Sequence, residues 1–485
     1  MKELTKSKRQ KNITMAAVFA VAGVLYVLIS LVNHYLFKTY TLDLGLYTHA
    51  MYDYTHFRVD DCSVFKAVPQ SILSDHFDLY LVLLSPLIYV FGSYTLLIVQ
   101  IVAVLLGGWG IYRLIGLYTD DDRMPVLAVA VFFFSFGIIQ ALAYDYHSNV
   151  LTSMMLPWLL YFLKRRQFGL TSLFVVLFVI GKENMSLWLL FIVMALMWDY
   201  RKDKQALWHL VVYAVFSLAY FFIINMIVMP KLGGSGGGFA RYAHLGDNYV
   251  DIAQRLVTHP WETLQMLFTN TNGISKYDGI KEEFYYCTLA TGMLLTLLKP
   301  NYLIMLIPLI AQKMLAVDPV FWGISFQYSV EFMPVIVISS FLVIIKLKKK
   351  VWRIVLAVSL LLSTVLTTFY TIGIPKSPVF LDQLCVYQGR HYEQKNFDVH
   401  YAYEVIGMIP DDASVCAITS FVPHLAMRDE IRNFANTKNI KTDFVLLTEP
   451  YFEFERDGVL VLKNRDEYET FATDGTIYLL KRKQF

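Results

Sequence analysis

The sequence predicts a mainly α-helical, polytopic membrane protein of about eleven transmembrane helices, closed by a small C-terminal α/β domain. Three observations predict it. Of 485 residues, 56% are hydrophobic and only 17% charged, and the mean hydropathy is +0.48, more apolar than the core of a soluble domain requires. Apolar runs recur with basic clusters at alternate ends. The last hundred or so residues break this pattern, being charged and strand-like in short stretches.

The first element follows a basic run at 1–11 and covers 13–33. It passes an A-x-A look-alike at Ala20–Ala22 without stopping and is long enough for about 30 Å of hydrocarbon, so it reads as an uncleaved first helix. A long, mostly polar loop fills 34–78, and 79–91 is too short for a span and reads as interfacial. The later spans are 94–118, 125–143, 150–163, 168–180, 185–198, 207–229, 284–298, 302–315, 328–345 and 351–372. Arg113 and Arg123, Lys164-Arg165-Arg166, Arg201–Lys204, Lys299 and Lys346–Lys350 fall at alternate ends. The positive-inside rule puts these ends, and the N-terminus, in the cytoplasm. An odd number of crossings then divides the chain into a membrane domain, 1–374, and an extracytoplasmic domain, 375–485, with strands expected near 413–419, 443–447 and 476–480.

Several classes are disfavoured. The 42 Lys+Arg against 39 Asp+Glu give a net charge of +3, too little to attract nucleic acid. Four cysteines without C-x-x-C spacing support neither a zinc site nor a redox motif; Cys385 and Cys416 share the tail, either paired or free. The glycine-rich run at 233–238 lacks a following Gly-Lys-Ser and reads as a flexible loop, a lid rather than a phosphate cradle. No internal repeat or paired interrupted helices point to a secondary transporter.

Ionisable residues at membrane depth are costly, so their positions are the best functional clues. On this topology they gather on the outer face: Asp43 with His49, Asp53 and His56, then Asp75, His76 and Asp78; Asp145 and His147; Lys182 and Glu183; and Gln327, Tyr328 and Glu331. Each also has a plain structural explanation: a solvated carboxylate past a helix end for Asp43, a local ion pair for Lys182 and Glu183, a hydrogen-bonded histidine for His147, an aromatic-belt start for Gln327-Tyr328. With 15% aromatic residues, single tyrosines carry little information.

The run from Asp43 through His76, then Asp145-Tyr146-His147, Gly181-Lys182-Glu183-Asn184, Gln327-Tyr328 and the tail segments 409–415 and 423–428 resemble a family of predicted prokaryotic membrane proteins of unknown function, itself similar to the GT-C glycosyltransferases. The likeness runs nearly end to end through short motifs. It departs at Ser148-Asn149, where Pro-Glu is usual, at Asn184, where Asp is usual, and at Gln327, where His is usual; the lost acids weaken a metal site there. The resemblance implies a GT-C-like fold in the cell (inner) membrane and an inverting transfer of sugar from a polyprenyl-phosphate donor to a glycan, lipid or protein acceptor. Asp43 stands where the base is expected. Lys182, with Arg241 as a second choice, answers the phosphate; His76 and His147 orient substrate; Glu183, Gln327 and Tyr328 complete the binding set. Asp75 or Asp145 supports Asp43 or holds a divalent cation, although no metal motif demands one. A transporter or flippase of a lipid-linked or small polar solute, and a non-catalytic membrane assembly protein, are the alternatives.

Overall fold

The computed structural model describes residues 2–60, 62–64, 70–234, 241–373, 375–378, 381–437, 440–449 and 465–483. Residues 235–238 of the glycine-rich run, read above as a lid, lie outside these. Every apolar run expected to cross the membrane is helical. Asn12–Tyr35, Leu79–Ile115, Lys204–Lys231 and Lys350–Gly373 are each long and apolar enough to cross alone. The segment at 79–91, expected to be interfacial, is helical and runs across a break at Gly92 (φ 55°, ψ −140°) into Thr95–Ile115, the whole making a 37-residue helical stretch. Asp78 caps that stretch, accepting from the Tyr80 amide at 2.9 Å.

The remaining spans are short or broken, and neighbouring side chains satisfy the backbone groups that the breaks release. Arg123–Phe133 and Phe136–Leu142 meet at a 47° bend, and the freed Phe134 carbonyl accepts from the Thr368 hydroxyl at 2.7 Å. Ile280–Thr288 and Leu294–Thr296 are separated by a kink at Gly292, φ 126°, whose carbonyl accepts from Ser340 at 2.9 Å. A side chain at Gly292 would meet that same Ser340 hydroxyl at 2.7 Å. Ser148–Lys164 and Pro300–Met314 each contain an internal proline, and Phe168–Val179, Met185–Asp199 and Phe332–Ile344 are shorter apolar helices.

Small residues let the central helices approach closely. In Thr95–Ile115, Gly107 and Gly108 abut Met154 and Phe133 so closely that a Cβ would clash with them, and Gly110 packs tightly on Pro157. This contact fixes the start of Ser148–Lys164 against Gln100.

Among the described residues the tail holds five strands, β1 (Val415–Ala417), β2 (Ile431–Asn433), β3 (Phe444–Thr448), β4 (Tyr468–Thr473) and β5 (Ile477–Arg482), in the order β2-β1-β3-β5-β4. β1 runs parallel to both β2 and β3, while β5 is antiparallel to β3 and β4. Every residue of β1 and β3 is buried, as expected of central strands. The sheet is fastened to the long first loop: the Thr41 amide donates to Thr419 Oγ1 at 3.0 Å, the Asn433 amide to the Val64 carbonyl at 2.9 Å, and Arg58 pairs with Asp429 at 2.8 Å. The His34 and His424 rings stack 4.1 Å apart. All four cysteines, Cys385 and Cys416 included, are buried, and Cys385 and Cys416 form no disulfide.

Candidate active site

At Asp43 the chain turns sharply, with φ 73° and ψ −90°, a γ-turn geometry that is rare and strained outside glycine. Two further non-glycine residues with positive φ stand beside it in the structure, Asp145 (φ 41°) and Phe326 (φ 59°). Tyr144 connects the three, since its ring packs 4.6 Å from Phe326 and its hydroxyl donates to Asp43. Such strain costs about 1–3 kcal/mol per residue and persists only where surrounding contacts enforce it.

Those contacts can be named. Gln100, fully buried in an otherwise apolar helix, grips the 145–147 turn from both sides: its Oε1 accepts from the His147 amide at 2.9 Å and its Nε2 donates to the Asp145 carbonyl at 2.9 Å. Asp145 in turn accepts from the Tyr40 amide at 3.3 Å and from Leu44, holding both flanks of Asp43.

The Asp43 carboxylate keeps 17% of its side chain exposed and lies 3.9 Å from His147 Nε2. That nitrogen is buried without a hydrogen-bond partner, and the ring is stacked at 12° on Tyr144. Burial raises the Asp43 carboxyl to about 6, with His76, Lys182 and the Tyr47 and Tyr144 hydroxyls restraining the rise. Burial, then the charges of Lys182 and His76, push His147 well below its ordinary value, so its imidazole is neutral near pH 7.

Across from this pair, Lys182 Nζ lies 3.4 Å from His76 Nε2, and His76 Nδ1 lies 3.6 Å from Glu183 Oε1. Glu183 also accepts the Phe77 amide at 3.2 Å, so the 181–184 turn holds the 76–78 segment. Burial would raise Glu183, but His76 and Lys182 outweigh it and take the carboxyl down to about 2. Asp43, His76, His147, Lys182 and Glu183 thus form one electrostatically coupled cluster drawn from four distant stretches of sequence.

The other expected residues stand further off. Asp75 is exposed. Arg241 places its guanidinium 4.5 Å over the Phe321 ring, acting on Tyr328, which in turn feels Asp43. Gln327 is buried, with its Oε1 unpartnered, and its carbonyl accepts from Asn149 at 3.3 Å. The two lost acids of the family pattern make sense locally. Asn149 Nδ2 donates to Glu331 Oε1 at 2.7 Å, where a second acid would oppose a buried carboxylate, and Asn184 Nδ2 donates to Gln312 at 2.9 Å. Among the described residues no group of three His, Cys, Asp or Glu side chains is arranged to hold a metal ion.

Sequence reasoning assigned no role to Gln100, Tyr47, Tyr144 or Asp78. Gln100 had a usable signal, a lone amide in a long apolar helix. Asp78 is buried, accepts from Tyr146 at 3.3 Å, and is raised by burial to about 8 against the pull of Tyr80, Tyr146 and Lys182.

The family model for predicted membrane proteins called DUF2079 matches residues 33–461, and the chain belongs to that family. No curated protein matches its sequence. Among solved structures it is similar to ArnT from Cupriavidus metallidurans bound to undecaprenyl phosphate, with 9% identity over 96% of this chain and 97% of that one and a TM-score of 0.53. The apo state of the same protein gives 9% identity, 98% coverage of both chains and a TM-score of 0.51. The GT-C-like fold expected from the sequence is therefore the fold the chain has.

Proposed function

We propose that this DUF2079 member is a membrane glycosyltransferase that moves a sugar from a polyprenyl-phosphate donor onto an acceptor hydroxyl at the outer face of the membrane, with its N-terminus in the cytoplasm. The observation that carries the reading is the pairing, in one cluster, of a strained, partly exposed carboxylate with a cation and two imidazoles. The undecaprenyl phosphate bound by the structurally similar ArnT supports a lipid-phosphate partner.

Asp43, ionised above about pH 6, takes the proton of the acceptor hydroxyl. The acceptor oxygen forms a bond to the anomeric carbon as the bond from that carbon to the phosphate oxygen breaks, and the bonding pair leaves with the polyprenyl phosphate. A single displacement of this kind inverts the anomeric centre. A base raised towards neutrality is better matched to this proton transfer than an ordinary carboxylate. Lys182 offsets the charge developing on the departing phosphate as a compact point charge. Neutral His147, with an unpartnered nitrogen facing Asp43, orients the acceptor oxygen by a single hydrogen bond. Gln100 and Asp145 position the Asp43 turn without touching substrate.

The test uses the full-length protein in nanodiscs with membrane-extracted, radiolabelled polyprenyl-phosphate sugars. Label should move to a second, chemically distinct product, Asp43→Asn should stop it, and added undecaprenyl phosphate should compete. Undiminished transfer by Asp43→Asn, or label that crosses the bilayer still attached to its lipid, would overturn the reading; the latter would indicate a flippase.

A further inference from the structure

A cavity of about 660 Å³ opens between the first loop and the tail sheet. Its location follows from topology. β1 lies between β2 and β3 and is parallel to both, so the chain leaves β1 towards one side for β2 and crosses to the other side for β3. In open α/β sheets the crevice at the carboxyl ends of such strands is where ligands bind. Here Ile418, Thr419 and Ser420, immediately after β1, and Thr448, the last residue of β3, line the cavity.

We infer that this cavity is a binding site for a neutral, polyhydroxylated ligand, a carbohydrate of about two sugar rings, which on the transferase reading above is the acceptor. The volume lies within the usual range of small-molecule sites, about 300–1,000 Å³. A phosphate-bearing ligand is disfavoured because the segment after β1, Ile418-Thr419-Ser420-Phe421, has no glycine to bring backbone amides around an anion. Of the three cations lining the cavity, Lys38 is committed, its Nζ donating to the carbonyls of Asp382, Arg390 and His391 at 3.3, 3.3 and 2.7 Å, and Arg390 is partly engaged, its Nη2 donating to Cys385 Sγ at 3.1 Å and its Nε lying 3.7 Å from Asp382. The third, Lys395, is exposed to solvent.

What remains is mixed and suited to sugar hydroxyls, which both donate and accept. Gln383, 3% exposed, has an Oε1 with no hydrogen-bond partner and lines the cavity, as do Ser420, Thr448, Glu393 and Phe397. The site also adjoins the cluster at Asp43. Tyr40 lines the cavity and stands three residues before that carboxylate, and Thr41 is tied to Thr419 through both its amide, at 3.0 Å, and its hydroxyl, at 3.3 Å.

The experiment is a saturation-transfer NMR titration of the full-length protein in nanodiscs with chitobiose, maltose and lactose, and with inorganic phosphate as a competitor. At least one disaccharide should bind saturably. Glu393→Ala, at an exposed position that leaves folding intact, and Thr448→Val should each weaken it about 5- to 10-fold, and phosphate should not displace it. Asp43→Asn should leave this binding unchanged, so loss of transfer activity and loss of the cavity's ligand are read separately. Saturation by none of the disaccharides, binding indifferent to both substitutions, or displacement by phosphate would overturn the assignment.

Discussion

Replacing Tyr144 by phenylalanine isolates one hydrogen bond in the Asp43 environment. The ring that stacks on His147 at 5.5 Å and packs on Phe326 at 4.6 Å is retained; only the hydroxyl donated to Asp43 is lost. A hydrogen bond to a charged group contributes about 1.5–3 kcal/mol, and about 1.36 kcal/mol corresponds to one pH unit. Because Tyr47 still donates and 17% of the side chain is open to water, the lower end applies, and the Asp43 carboxyl should rise from about 6 by roughly one pH unit. A base must be deprotonated to work, so kcat/KM should climb through this value as pH increases. Wild-type protein should show an acid limb near 6, and Tyr144→Phe one near about 7, the two converging in rate above about pH 8. The assay is the pH profile of kcat/KM for transfer in nanodiscs. A wild-type limb near the ordinary carboxylate range, or a limb that Tyr144→Phe does not move, would refute the assignment of Asp43 as the titrating base.

Three other outcomes follow from the same geometry. Glu183, held near 2 against an ordinary 4.5, contributes stability that is present above about pH 4.5 and lost as pH falls through 2, so Glu183→Gln should cost roughly 2 kcal/mol at pH 7; equal melting of the variant and wild type at pH 7 would contradict this. Gly181→Ala brings a Cβ to 2.7 Å from the Tyr80 ring and closer still to Thr152 Oγ1, an overpacking of about 1–3 kcal/mol that shifts the Lys182-Glu183 turn, so transfer should fall at least tenfold while the protein still purifies as a folded monodisperse species. His424, taken by burial down to about 3, is neutral in the fold and protonates on unfolding below its ordinary 6.5, so the tail junction should lose about 2 kcal/mol between pH 6.5 and 5; limited proteolysis of the tail at the two pH values should show the loss in wild type and a smaller one in His424→Leu, where the buried His34 against which it stacks remains.

Much of this architecture was legible in the sequence because lipid imposes a blunt rule: a crossing must be apolar over a fixed length, and each expected run is helical. The bends were less legible, since the Phe134–Ser135 break is tolerated only because Thr368, more than two hundred residues away, supplies a hydroxyl to its carbonyl. In the tail, β1, β3 and β5 matched the apolar stretches expected there. β2, Ile431-Arg432-Asn433, is two-thirds polar, and β4 is a mostly exposed edge strand, so neither shows the apolar run that marks a buried strand. The cluster was legible as residue types on one face but not as geometry. Asp75 and His76 are neighbours in sequence, yet one is exposed and the other lies against Lys182 and Glu183, because the loop follows the 181–184 turn rather than a repeating period.

Three aspartates, Asp43 in the cluster and Asp78 and Asp145 around it, show what decides which acid is available for chemistry. Asp43, Asp78 and Asp145 sit in similar polar segments, and all are raised by burial. Asp145 receives backbone amides from Tyr40 and Leu44, and Asp78 caps a helix through the Tyr80 amide. A carboxylate that closes backbone donors cannot leave them without exposing unpaired N–H groups, each costing about 1–3 kcal/mol, and so it is fixed in a structural role. Asp43 instead takes hydroxyl hydrogen bonds from Tyr47 and Tyr144, closing no backbone donor, and of the three it alone faces an unpartnered imidazole nitrogen across 3.9 Å. The strained turn is what makes this arrangement: with ordinary dihedrals at residue 43 the carboxylate would follow the backbone into the loop, where the amides of 40–44 already hold Asp145.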